Sequence, residues 1–183
     1  MRGVTSQKEP SPVTHPVTHA VEWIGYLEHR TPENLGVFTE NAGKGGETVF
    51  AWMLRRSQGV EVSGLPWCAV FVHAVVDRPD LLGKASPGVR TLLRRMIWRG
   101  LWRGRRYVPR PGDIIFCSNT RTAIADHCGI VEHCDGAAVV SIDGNTVDPS
   151  GTFATNEGGA VARRSRRLDD PVIVGYGAIS KRL

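Results

Sequence analysis

Hydrophobic positions recur at two different periods along this chain, and the change between them divides it into a helical half and a sheet half. Val21, Ile24 and Leu27 stand at helical spacing, with Pro32 marking an exit. The glycine-rich segment Asn41–Gly46 leads into a second helix expected around Glu47–Arg55. A third is expected from Cys68 to Val76, with Ala69, Val72 and Val76 inward. Ser86-Pro87 reads as an N-cap followed by proline at the first helical position, and Val89, Leu92, Leu93 and Met96 form the stripe of a fourth helix. Beyond Pro109 and Pro111 the period falls to two. Strands are predicted at Asp113–Cys117, Gly129–Cys134, Ala137–Asp143, Ala160–Arg167 and Val172–Tyr176, with Asp135-Gly136 as a hairpin turn. Helices first and an antiparallel sheet afterwards imply an α+β domain.

Residues 1–19 break this patterning. The repeat Pro12-Val13-Thr14-His15, Pro16-Val17-Thr18-His19 has no packing period, its prolines oppose a helix, and its histidines read as solvated tail residues. The expected organisation is a disordered leader over 1–19 and one domain over 20–183. At 183 residues, 41% hydrophobic and 22% charged, the chain is ordinary for a globular domain with a proper core. No apolar run reaches membrane-spanning length, so no membrane insertion is expected. Met1–His19 offers no apolar stretch of the kind a secretory signal needs, so the protein is expected to be made and first held in the cytoplasm. In that setting Cys68, Cys117, Cys128 and Cys134 are expected to stay reduced. The net charge of +5 favours anionic partners without naming one.

Candidate chemistry begins at Gly64-Leu65-Pro66-Trp67-Cys68, where a tight segment delivers a cysteine onto the first turn of an apolar helix. Unpaired N–H donors and the helix dipole favour thiolate there, and the thiolate is the nucleophilic form. The Cys68 backbone N–H is placed to serve as one oxyanion donor. His127 opens a strand-like run and is the candidate base. Alternation puts His127, Gly129, Val131 and His133 on one face and Cys128, Ile130, Glu132 and Cys134 on the other. Asp143 and Asn145 follow on a common side. One of them is expected to orient the imidazole, Asp143 first because a carboxylate also stabilises imidazolium; Asn145 either shares that role or contacts substrate. Cysteine, histidine, then carboxylate or amide is the order of a papain-like cysteine hydrolase.

Five segments together resemble the CHAP branch of the NlpC/P60-like cysteine amidases and peptidases, which act on bacterial peptidoglycan. They are Pro66–Val72, Pro109–Phe116, His127–Val131, Ile142–Thr146 and Val174–Gly177, in the family's order. Asn41-Ala42-Gly43 resembles its upstream asparagine-glycine element. The resemblance implies a papain-like α+β fold, Cys68 as nucleophile, His127 as base, Asp143 where the family often has glutamate, and Asn145 as its nearby asparagine. Cys128 stands where valine is usual. Some members bind calcium in an Asp-rich loop before the cysteine; Ser57–Leu65 carries only Glu61 as a carboxylate, so neither metal nor other cofactor is expected.

The implied reaction is cleavage of an amide or peptide bond of peptidoglycan through a thioester, by a lysin or an interbacterial effector. Delivery would need a holin, a secretion apparatus or lysis, and an effector would have an immunity protein. Two other readings stand beside it: a peptidase or transferase of this fold acting on an intracellular protein, and a non-catalytic nucleic-acid-binding module. The last rests on the run Arg90–Arg110, where arginines alternate with Trp98, Trp102 and Tyr107. A solvated helix face ranks first for that run, attraction to an anionic envelope second and nucleic acid third. Cys117, Cys128 and Cys134 read as small core residues. A zinc site from Asp126, His127, Cys128, His133 and Cys134 is disfavoured because alternation sends its thiols and imidazoles to opposite faces. His73 reads as surface or supporting rather than catalytic.

Overall fold

The computed structural model describes residues 15–26, 28–29, 37–38, 49–57, 59–60, 65–147 and 158–183. Its centre is a six-stranded antiparallel sheet in the order β3-β8-β4-β5-β6-β7. The strands are β3 (Trp102–Gly104), β4 (Ile114–Cys117), β5 (His127–Cys134), β6 (Ala138–Thr146), β7 (Ala160–Arg167) and β8 (Ile173–Gly177). A separate two-stranded ribbon pairs β1 (Glu28–His29) with β2 (Val37–Phe38). Helices precede the large sheet: α1 (Pro16–Val21), α2 (Val49–Arg56), α3 (Cys68–Val76), α4 (Pro79–Leu82) and α5 (Val89–Trp98). The α+β expectation holds.

The central helix, α3, is apolar on every side except at His73, and all nine of its residues are buried. A helix hydrophobic all round must be enclosed. It lies on β5 and β6, with α1, α2 and α5 also in contact. Close approach to the sheet depends on Gly144, where a Cβ would stand 2.6 Å from Phe71 and 2.7 Å from Trp67. Alternation divides the sheet as expected: Ile114, Phe116, Cys128, Ile130 and Ile142 join the helix-side core, while Ile115, Cys117, Val131, Val139, Ile173 and Tyr176 form a second core on the far face. Asp135-Gly136 makes the β5–β6 turn, with Asp135 Oδ1 accepting from the N–H groups of Ala137 and Ala138 at 2.8 and 2.7 Å.

Several expectations need correction. Helix α1 starts at Pro16, inside the segment read as a leader, because proline suits the first turn of a helix. His15 caps it, and His19 reaches the carbonyl of Val75 on α3 at 3.0 Å. His19 is thus a packing group, whereas His15 at the cap is exposed, as read. The fourth predicted helix begins at Val89, with Gly88 at the cap and Ser86 Oγ accepting from Gly88 N–H. Its stripe buries Val89, Leu92 and Met96. His73 is 5% exposed rather than a surface residue; burial, with help from the Arg95 charge, lowers its pKa to about 4. Strand β3 arises inside the basic run because it pairs with β8. There Trp102 packs edge-on against Phe116 and Tyr107 against Tyr176, while Arg99 donates to the Asp80 carbonyl and Arg105 to that of Asp169. Leu27, Pro32, the Asn41–Gly46 turn, the Asn41-Ala42-Gly43 element, Glu47, Glu61 and Gly64 lie outside the described residues. No helix of the described residues is long and apolar enough to cross a membrane.

Candidate active site

Cys68 is the first residue of α3, and the preceding Trp67 makes no side-chain capping bond. Helix-start N–H groups left without a side-chain cap are donors available to an anion. The sulfur lies by the start of β5, close enough to His127 and Cys128 for both to lower its pKa. Cys128 projects from the helix side of the sheet and His127 from the other face, so a sulfur at the strand end meets both. Cys68 is only 2% exposed, and that exposure opens on a cavity of about 210 Å³. Pro66, His127, Asp126, Asn145, Arg164 and Arg166 are among the groups lining it. A larger cavity of about 560 Å³, between Arg105, Tyr107 and Asp169, contains no nucleophile.

Behind His127 a buried polar chain continues. His127 Nε2 lies 3.1 Å from Asp143 Oδ2. Asp143 is fully buried and accepts from Ser141 Oγ at 2.6 Å and from Arg166 at 2.8 Å; Arg166 also donates to Ser141 Oγ at 2.9 Å. Every oxygen of this carboxylate is thereby satisfied, as burial of a charge demands. Space for it exists because Gly129, on the neighbouring strand, has no side chain: a Cβ there would land on Asp143 Oδ1.

The charges follow from these contacts. Burial opposes ionisation of Asp143, but Arg166 and His127 outweigh it and hold the carboxyl below its usual range. Burial likewise opposes the imidazolium of His127, yet the bonds to Asp143 and Cys68 raise its pKa from 6.5 to about 10. The Cys68 thiol is lowered well below its ordinary value, chiefly by the hydrogen bond from Cys128, then by His127, against burial. Cys128 is itself pushed up by burial and by the neighbouring Cys68, so it remains a thiol and a donor. Both shifts run in the direction that favours a thiolate–imidazolium pair.

Of the four site residues predicted, the structure brings Cys68 and His127 to one cavity and bonds His127 to Asp143. Asn145 does not bond the imidazole. A register shift between Asp143 and Thr146 takes it out of strand alternation, with φ of 54°, and its buried Oδ1 has no partner. Cys128 is a buried core residue, as read, and it also neighbours Cys68 closely enough to perturb its thiol. Arg166 and Ser141 escaped sequence reasoning; alternation along β7 was the available signal, but it needs the β6–β7 pairing to become meaningful. Among the described residues no group of three or more His, Cys, Asp or Glu is arranged to hold a metal ion. The region read for calcium lies largely outside the described residues.

This arrangement is suited to thiolate attack on a carbonyl with a proton donor alongside. The model of the CHAP domain matches residues 60–145, a segment that contains Cys68, His127, Asp143 and Asn145. No curated protein and no solved structure matches the chain significantly. CHAP domains are hydrolases, amidases or peptidases, and it is to them that residues 60–145 of this chain are similar.

Proposed function

We propose that this protein is a peptidoglycan hydrolase with a papain-like arrangement, cleaving an amide or peptide bond of the cell wall through Cys68. The observation that carries the reading is the row Cys68–His127–Asp143 opening on a polar cavity. The Cys68 thiolate attacks the carbonyl carbon, forming the C–S bond while the carbonyl electrons move to oxygen. The Cys68 backbone N–H, at the helix start, is a donor for that oxyanion. As the tetrahedral species collapses, the C–N bond breaks and imidazolium His127 gives its proton to the leaving amine. Neutral His127 then takes a proton from water, the hydroxide oxygen attacks the thioester, and the thiolate leaves. Asp143 keeps the ring oriented and favours its charged form throughout, with Arg166 and Ser141 holding Asp143 in turn.

Purified protein incubated with isolated sacculi is expected to release soluble muropeptides, and Cys68→Ala to release none. Release by both proteins, or by neither, refutes the assignment. Analysis of the new termini separates amidase from endopeptidase: a free amine on the stem's first residue marks the former, one inside the stem or bridge the latter.

A further inference from the structure

Two polar groups in the nucleophile's cavity have no use in the hydrolysis just described. Arg164 on β7 is half-buried, lines the cavity, and makes no hydrogen bond or ion pair among the described residues. Its neighbours on the strand are engaged: Arg166, on the same face, bonds Ser141 and Asp143, and Arg163, on the opposite face, grips Glu132 with two bonds of 2.7 Å. The cavity does contain a carboxylate, Asp126, but its oxygens are taken by the backbone of Asn119 and Thr120 and by the Thr120 hydroxyl. The second group is Asn145 Oδ1, a buried acceptor with no donor. A half-buried guanidinium with no protein acceptor among the described residues and a buried acceptor with no donor thus line one cavity, where a ligand can complete both.

Chemistry narrows that ligand. A guanidinium fork matches a carboxylate through two parallel N–H···O bonds, and an amide oxygen such as that of Asn145 accepts an N–H. We propose that Arg164 is a specificity residue that clamps a free carboxylate of the substrate peptide close to the scissile bond, while Asn145 accepts a peptide N–H of the same substrate. This rests on the peptidoglycan reading and narrows it: the enzyme takes stems whose carboxylate is free and discriminates against those in which it is a carboxamide. Amidation removes the charge and turns one acceptor oxygen into a donor facing a donor.

The test compares sacculi with native carboxylates and the same sacculi amidated with carbodiimide and ammonium. Wild type is expected to release muropeptides about tenfold or more faster from the native form, the range expected for a charge-assisted bond. In Arg164→Gln that ratio falls to about one, through a higher KM on native sacculi; Arg164→Lys, which keeps the charge without the fork, gives an intermediate ratio. Arg106→Gln, an exposed arginine away from the cavity, keeps the wild-type ratio. Thermal midpoints confirm that the variants fold. Equal rates of wild type on the two preparations, a preserved ratio in R164Q, or a collapsed ratio in R106Q overturns the proposal while leaving the hydrolase reading intact. Absence of release from either preparation removes both.

Discussion

Asp143 has two cationic neighbours and Arg166 only one carboxylate bonded to it, and that asymmetry predicts how each replacement behaves. In Asp143→Asn the guanidinium of Arg166, 9% exposed, stays charged with only the Ser141 hydroxyl among its present partners. Breaking a buried pair from one side costs about 3–5 kcal/mol, a large share of the roughly 5–15 kcal/mol that holds a domain folded. Arg166→Met is milder, because Asp143 keeps the His127 imidazolium and the Ser141 donor; about 1–3 kcal/mol is expected for the lost charged hydrogen bond. In D143N/R166M no charge is left stranded, so the double variant is more stable than the sum of the two losses implies, by about 1–3 kcal/mol of coupling. Urea unfolding at pH 7, with m unchanged across the set, measures all three. Activity should not follow stability: R166M retains the His127–Asp143 bond, whereas the double variant recovers stability yet lacks the carboxylate that sustains the imidazolium. Additivity of the two losses within about 0.5 kcal/mol, or a larger loss in R166M than in D143N, would refute this account of the buried row.

Alkylation of Cys68 by iodoacetamide, followed against pH, should have its midpoint well below the ordinary thiol value of about 8.5; a midpoint near 8.5 removes the resting ion pair. Hydrolysis needs thiolate and imidazolium together, so activity should climb from the acid side and decline as pH passes about 10, where His127 loses its proton. The same raised pKa stabilises the fold fully below about 6.5, and that contribution disappears as pH rises towards about 10; comparing unfolding of wild type and His127→Gln across this window tests the sign. Cys128→Val deletes the thiol donor at nearly constant volume and should move the alkylation midpoint upward, while Cys128→Ser, which keeps a donor, should hold it near wild type; equal midpoints in the two variants would show that the bond does not matter. Gly129→Ala forces a methyl onto Asp143 Oδ1 and should cost about 1–3 kcal/mol by overpacking together with loss of rapid alkylation, both absent if the strand simply shifts to accommodate it.

What could be read from the chain, and what could not, depends on whether the determining contact is local. Helix α3 was legible because the Gly-Leu-Pro-Trp segment and the apolar run behind it are consecutive, and β5 with its turn because alternation and Asp135-Gly136 are. From those two elements followed the faces of the sheet, and hence Cys68, His127 and Asp143 as a set. Strand β3 was missed because Trp102–Gly104 has no alternation of its own; two of its three residues are exposed, and it is a strand only through its pairing with β8, far along the chain. The start of α1 is hidden for the opposite reason: proline is a breaker inside a helix, but position in the first turn makes Pro16 a helix initiator. The site shows the same boundary at finer scale. Alternation puts Cys128 and His127 on opposite faces, which separates them from any common partner lying on one face. A sulfur at the end of a strand is not confined to either face, and from there Cys68 touches both. Asn145 was assigned its side by counting residues, but one extra residue between Asp143 and Thr146 turns its amide away from the imidazole and into the cavity. Such an irregularity has no signature in composition. It exists because β7 pairs across it, and its consequence is chemical: of the two roles expected for Asn145, orienting the imidazole or contacting substrate, the first is lost, and its unpartnered acceptor belongs to the cavity beside Cys68.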